Sequence, residues 1–420
     1  MKNTVMPNIE KDVNIHLENK YESRAFFWFL WILYAVVSMT KNCYNGALAS
    51  IVSEGILTKS QTGFISAMFF AVYAPLQIGC GFVADKFSPE RIIKIGLIGA
   101  AISNIIIFFN QNYYVMLAAW IFNGIIQFGI WPSIFKIVSS QLVRSERTQM
   151  ASYISFAASF GYFLSYIVAA VVPSWEYNFS ISAASLLIFA VLLHIFEKHL
   201  NPYMKWDKIE KVEAKTKTDI PATKIFAKSG FYFVLISSFL AIIVSQSRSS
   251  LNSVMLFENY DNISPSLGNI LTSVFIICGI LATIIAKKFA GKMKNEMKTM
   301  IIIYAAMLPF LSACILVGKI QVSFVIIAMC FVACFESVAN LAKNYYTMHF
   351  IKYGLNGTAA GILNGGAGFS YVIAGYIIPL IIENFGWRAT ISLWSLLIVA
   401  TIIVILLGLK TFNAFTKNGI

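Results

Sequence analysis

Hydrophobic and polar positions along this chain fall into long blocks rather than short alternations. The first block, Ala25 to Val52, reads AFFWFLWILYAVVSMTKNCYNGALASIV. About 20 apolar residues let a helix cross a bilayer, so this block crosses with some tilt. Further apolar segments run near 61–84, 92–109, 112–138, 149–173 and 177–196. Residues 197–229 break the pattern with charge, and six more segments follow near 230–256, 265–288, 298–318, 321–346, 355–382 and 387–409. The pattern predicts an all-α integral membrane protein of 12 transmembrane helices, built as two six-helix pseudo-symmetric halves. The expected domains are an N-terminal tail 1–24, a first half 25–196, a central loop 197–229, a second half 230–410 and a C-terminal tail 411–420.

The halves read as repeats. Trp175 opens WEYNFSISAASLLIFAVLL before the sixth helix, and Trp387 opens WRATISLWSLLIVATIIVI before the twelfth. Gly63 and Gly268 occupy matching places, as do Lys41 and Arg248. Repeats related by an axis along the membrane normal place a substrate site near the midplane between them.

Composition and charge refine this picture. Hydrophobic residues make up 58% of the chain and charged residues 12%, about half the charged fraction of a soluble domain. A net charge of +13 in a soluble protein would suggest nucleic acid. Here it reflects lysines on one side of a membrane. With a cytoplasmic N-terminus, the outer loops hold only Lys59, Lys319 and Arg388, and the segments hold Lys41, Lys136, Arg248 and Lys343. Every other Lys and Arg falls on the cytoplasmic side, which places both termini and the central loop inside, in a multi-pass inner-membrane protein. The first 24 residues are polar and charged, so no cleavable signal peptide is expected there. The six cysteines lie in apolar segments. Cys330 and Cys334 are one turn apart and read as small buried thiols rather than a metal pair or a disulfide. The four histidines show no ligand spacing, so no metal and no cofactor are expected.

The candidate chemistry is the charge inside the apolar blocks. A Lys near the bilayer centre costs about 2.5 to 3.5 kcal/mol on insertion scales. Tyr34, Ser38, Lys41 and Asn45 recur at helical spacing and share one face. Lys41 therefore either faces a polar cavity or snorkels to an interface. In the seventh segment Ser238, Ser245, Arg248 and Asn252 share a face, which makes Arg248 the near-symmetric mate of Lys41. Two cations facing one cavity repel, and an anion between them relieves both costs. Alternatively, a protein acid pairs with one of them. Glu336 is the evident deep carboxylate, and it shares a face with Asn340 and Lys343. It reads equally as part of a local Glu336–Lys343 network or as a coupling group. Asn123, Gln127 and Trp131 recur in the fourth segment ahead of Pro132 and Lys136. That row either lines a cavity or packs around a Pro kink.

Residues 81–94, GFVADKFSPERIIK, have the form of the major facilitator superfamily signature between its second and third helices. Gly81, Ala84, Asp85, Lys86 and Arg91 fit it, and Ser88 replaces the second Gly. The resemblance implies a cytoplasmic gate involving Gly81, Asp85, Lys86 and Arg91. GIIQFGIWP (124–132), GTAAG (357–361) and FGW (385–387) resemble the organophosphate:phosphate antiporter branch, which includes glycerol-3-phosphate transporters. Tyr73 is similar to that branch's helix 2 Tyr, and Lys41 with Asn42 to the end of its helix 1 Arg-Lys-Asn. The chain departs at Thr40, Gln77 and Ala158, where the glycerol-phosphate type has Arg, Lys and His. The resulting expectation is a secondary active transporter, not an enzyme, that moves a small organic anion, organophosphate or carboxylate, by alternating access. Lys41 and Arg248 would hold the anion, with Asn42, Tyr73, Gln127, Trp131, Asn252 and Asn364 around it. Expected partners are the solute, a counter-substrate or proton, and the bilayer, with no nucleic acid, for a monomeric protein. The alternatives are a proton-coupled symporter or exporter of a non-phosphate solute, with Glu336, Asn340 and Lys343 in coupling, or a membrane sensor with a transporter fold.

Overall fold

The computed structural model describes residues 13–17, 19–86, 88–143, 145–200, 204–208, 221–289, 293 and 295–418. Each apolar block of the sequence becomes helix, because backbone groups in lipid must be satisfied within the segment. Helix α1 spans Lys20–Ser53, capped by the Asn19 side chain on the Tyr21 N–H. Helices α2 (Lys59–Lys86) and α3 (Pro89–Phe109) follow, with Pro89 at the permitted first position of α3. The fourth block is two helices, α4 (Tyr113–Gln127) and α5 (Ile130–Ser140). The break at Phe128–Gly129 has a local cause: Pro132 cannot donate to the Phe128 carbonyl, and its ring crowds that carbonyl. Then come α6 (Arg147–Val171) and α7 (Glu176–Leu200). The second part contains α8 (Ala222–Lys228), α9 (Phe231–Asn259), α10 (Pro265–Phe289), α11 (Glu296–Ala313), α12 (Val322–Thr347) and α13 (Asn356–Asn418). Helix α13 is broken at Gly386, whose φ of 78° and ψ of 177° suit glycine alone. Among the described residues nine helices are long and apolar enough to cross a membrane.

The tail and the central segment carry structure that hydropathy does not reveal. Strand β1 (Val13–Leu17) pairs antiparallel with β2 (Met204–Lys208), Val13 opposite Lys208 and Leu17 opposite Met204. Leu17 is fully buried, and its N–H donates to the Gln141 carbonyl at 2.7 Å. Helix α8 buries Ile225 and Phe226.

Helix packing positions the site. Helix α1 packs on α6 and α7, α3 on α4, α5 and α7, and α2 on α4. In the second part α9 packs on α10 and α13, and α12 on α10 and α11. These sets meet through α2 with α13, α6 with α10, and α1 with α9 and α10. Among the described residues the apolar core is continuous between the two sets at one end and divided at the other. Around the α1–α2 and α9–α10 turns a single core runs from Leu48, Phe69 and Trp120 to Met255, Met329 and Trp394. At the opposite end there are two cores, one around Phe26, Leu97 and Leu193, the other around Phe231, Tyr346 and Phe412. The bundle is closed at the first end and parted at the other.

The closed end is tightly joined. A Cβ added to Gly63 on α2 would run into the Gly375 carbonyl oxygen and the Pro379 ring of α13. Lys59 Nζ lies 2.7 Å from Glu258 Oε1, and Ser60 contacts Glu383 through its N–H at 3.0 Å and its hydroxyl. Asn269 Nδ2 donates to the Gly46 carbonyl at 2.9 Å. Large apolar side chains such as Ile95, Ile188, Leu281, Ile302 and Leu407 are exposed on the outside, as a lipid-facing belt requires.

Candidate substrate site

A pocket lies just below the closed end, between α1, α2, α4, α6 and α9. Lys41, Asn42, Tyr44 and Asn45 line it from α1, and Ser66, Phe69 and Phe70 from α2. Trp120 on α4, Tyr162 on α6, and Gln246 with Ser249 on α9 complete it. It is narrow, with room for little more than a water molecule, about 20 Å³, in this conformation. Among the described residues Lys41 is the one charged side chain of this lining.

Lys41 is held by an aromatic and not by an acid. Its Nζ donates to Tyr73 Oη at 3.0 Å and sits 4.4 Å from the centre of the same ring. Gln77 Nε2 donates to that oxygen at 2.9 Å, and the Tyr73 ring stacks on Phe69. A ring face and one neutral oxygen attract an ammonium without supplying an opposite charge. An ammonium has three donors, and Tyr73 takes one. Asn42 Nδ2 donates to Ser165 Oγ at 3.0 Å, and Asn42 Oδ1 accepts from Asn45 Nδ2 at 2.7 Å. Asn42 therefore both lines the pocket and ties α1 to α6.

Arg248 does not line this pocket. Its guanidinium turns to Glu336 on α12, with Nε donating to Oε1 at 3.2 Å and Nη2 paired with Oε2. Ser245 Oγ donates to the same carboxylate at 3.3 Å. With its amide oxygen turned to the guanidinium, Asn252 accepts from Arg248 Nη1 at 3.1 Å and donates to the Arg248 carbonyl. The pair is nearly buried, at 6% and 11% side-chain exposure. Of the alternatives open in the sequence, Arg248 takes the protein acid, and the face of α9 toward Lys41 presents Gln246 and Ser249 instead. Glu336 consequently does not pair with Lys343. Lys343 is half-buried on α12 with no hydrogen bond or ion pair among the described residues, while Asn340 and, on α13, Asn364 are exposed.

The fourth-segment row also lies outside the pocket lining. Gln127 Nε2 donates to Asn123 Oδ1 at 2.6 Å, with both residues buried. One donor and one acceptor of this amide pair stay without partners among the described residues. Trp131 packs against Tyr34, ring centres 4.6 Å apart and tilted by 30°, which joins α5 to α1. Of the gate residues, Arg91 is exposed on α3. Gly81, Asp85 and Lys86 belong to the helical backbone of α2, and the side chains of Asp85 and Lys86 lie outside the described part. Two histidines bind carboxylates at helix ends, His199 to Glu22 and His349 to Glu296. Gln246 and Ser249, which the sequence reading missed, stand at i and i+3 beside the Arg248 stripe. Their spacing was visible, but not the direction in which it points.

The fold and site together define a polytopic helical membrane protein with a polar pocket buried between its helices. A family model for the Major Facilitator Superfamily matches residues 30–258 and 238–417. The chain belongs to this family of membrane transporters. The probable hexose phosphate transport protein of Chlamydia pneumoniae is 21% identical over 454 residues, covering 98% of this chain and 95% of that protein. The membrane sensor protein UhpC of Escherichia coli (strain K12) is 25% identical over 141 residues, about a third of either chain: 34% of this one and 32% of that protein. A crystal structure of a bacterial homolog to the human lysosomal transporter Spinster, inward-facing and unoccupied, superposes with a TM-score of 0.72 at 13% identity, covering 94% of this chain and 97% of that one.

Proposed function

We propose that this protein is a secondary active transporter that carries a small organic anion by alternating access, with Lys41 as the anchoring cation. The carrying observation is the Lys41 ammonium, inside the pocket and without an acid partner among the described residues. An uncompensated charge at membrane depth marks a substrate or ion pathway. The relative named as a hexose phosphate transport protein supports an organic anion as cargo.

In this reading the helices form 12 spans in two six-helix halves. The first half is α1, α2, α3, α4 with α5, α6 and α7. The second is α9, α10, α11, α12 and the two parts of α13 on either side of Gly386. The distribution of Lys and Arg supports a cytoplasmic position for the parted end, both termini and the central segment, and in this reading the described state is open to the inside. The signature residues Asp85 and Lys86 with Arg91 then close that side in the other half of the cycle.

The test is a thermal-shift panel of organic phosphates and carboxylates on purified protein, followed by counterflow of the stabilising compound in liposomes. Binding stabilises by mass action, so a true ligand raises the midpoint. A ligand that binds without being moved would favour a second reading, a membrane sensor, which the likeness to UhpC supports. A panel without any anionic ligand would remove the transport reading for anions.

A further inference from the structure

Two cations sit in corresponding helices, yet only one is available to a ligand. The Arg248 fork is taken at both ends, by Glu336 at Nε and Nη2 and by Asn252 at Nη1. Its charge is cancelled by a carboxylate that is itself nearly buried. Lys41 has no such partner and keeps two donors for a ligand. The pocket therefore presents a single positive charge.

We propose that the pocket selects a singly charged, hydroxyl-bearing organic acid over a doubly charged phosphate ester, because Glu336 withholds Arg248 from the site. This rests on the organic-anion reading above and names its substrate class. A dianion against one ammonium carries its second charge into a desolvated pocket without a partner, which burial penalises strongly. A carboxylate matches the two remaining donors of Lys41. The fork that recognises phosphate bidentately is the group that Glu336 occupies.

The remaining lining suits hydroxyls. Asn45, Ser66, Gln246 and Ser249 line the pocket, and Asn45 Oδ1, Ser66 Oγ, the Gln246 side-chain amide and Ser249 Oγ have no hydrogen-bond partner among the described residues. Phe70 and Trp120 offer flat apolar surface beside them. Unpaired amides and hydroxyls next to aromatic faces satisfy the hydroxyls and the C–H face of a polyol acid. A purely apolar acid would leave those polar groups unpaired, at a cost in affinity.

The experiment compares glucuronate with glucose 6-phosphate at pH 7, where a phosphate ester is mostly a dianion. They share a hexopyranose ring and carry one and two negative charges. Isothermal titration is run on the purified full chain in detergent, as wild type, Lys41→Gln and Glu336→Gln. Wild type should bind glucuronate at least about tenfold more tightly than glucose 6-phosphate, and Lys41→Gln should lose glucuronate. Glu336→Gln frees Arg248 and should tighten glucose 6-phosphate at least about tenfold, with a smaller effect on glucuronate. Should Glu336→Gln not fold, the double variant Arg248→Gln/Glu336→Gln keeps the charge of the wild-type pocket and must keep the preference for glucuronate. Its loss there would overturn the proposal. So would glucose 6-phosphate binding wild type as tightly as glucuronate, or no gain for it in a folded Glu336→Gln. Binding of neither compound to any form would instead overturn the organic-anion reading underneath.

Discussion

Lys59 in the first turn of α2 and Glu258 near the end of α9 are joined at 2.7 Å across the closed end of the bundle. The same carboxylate accepts the Trp387 Nε1–H at 2.7 Å. Glu258 thus ties α2, α9 and α13 together at the one place where the apolar core is continuous between them. Each side chain of the ion pair is about a fifth exposed, at 21% and 20%. Solvent screens such a pair, and its contribution to closure is about 1 kcal/mol, a factor of about five in the closed population. Glu258→Gln should raise amide hydrogen exchange in residues 59–67, with the wild type approaching the variant as salt is added. Unchanged exchange would remove this pair from the closure.

Gly63 tests the same seam by sterics instead of charge. Its missing Cβ leaves room for the Gly375 carbonyl and the Pro379 ring. Neither is the tip of a flexible side chain, so Gly63→Ala must push α2 and α13 apart. We expect a lower thermal midpoint in detergent and faster exchange in 59–67, in the same direction as Glu258→Gln but independent of salt. A variant indistinguishable from wild type would mean that the seam is not tight.

How much of this was legible in the sequence depends on whether a feature is local. The helical blocks were, because an apolar run of about 20 residues has one stable solution in a membrane. The break before Trp131 was also local, since Pro132 acts on the carbonyl of Phe128. The Lys41 stripe was legible as a polar face, and Lys41 and Asn42 do line the pocket. The facing of α9 was not. Ser245 and Arg248 fall on one stripe in any helix drawing, but only packing shows that this stripe meets Glu336 while Gln246 and Ser249 meet the pocket. The pairing of Val13–Leu17 with Met204–Lys208 was out of reach for the same reason, because it joins segments distant in sequence.

Lys41 should govern affinity more than stability. In Lys41→Gln the pocket loses its one charge, and a desolvated charge contact is worth about 2 to 5 kcal/mol of affinity, a factor of about 30 or more. Tyr73→Phe removes only the hydroxyl that accepts from Lys41 and Gln77. A single hydrogen bond of this kind contributes about 1 kcal/mol, so its loss should be several-fold. Equilibrium binding of an anion returned by the thermal-shift panel measures both. Wild-type affinity in Lys41→Gln would exclude this pocket as the anion site.

The Arg248–Glu336 pair predicts the opposite balance, with stability lost before affinity. Both groups are nearly buried and each satisfies the other, with Ser245 and Asn252 completing the shell. Removing either partner leaves a buried charge uncompensated, which typically costs about 3 to 5 kcal/mol. Arg248→Gln and Glu336→Gln should each lower the midpoint of denaturant unfolding in detergent by a large and similar amount. Replacing both by glutamine removes the two charges together and keeps side chains that can bond each other. The double variant should therefore recover most of the loss, and the coupling energy of the cycle should exceed about 1 kcal/mol. A purely additive double variant would mean that the two charges act separately. If Arg248→Gln instead left stability untouched and abolished binding of a monoanion, the guanidinium would belong to the pocket, and the single-charge description of the site would have to be given up.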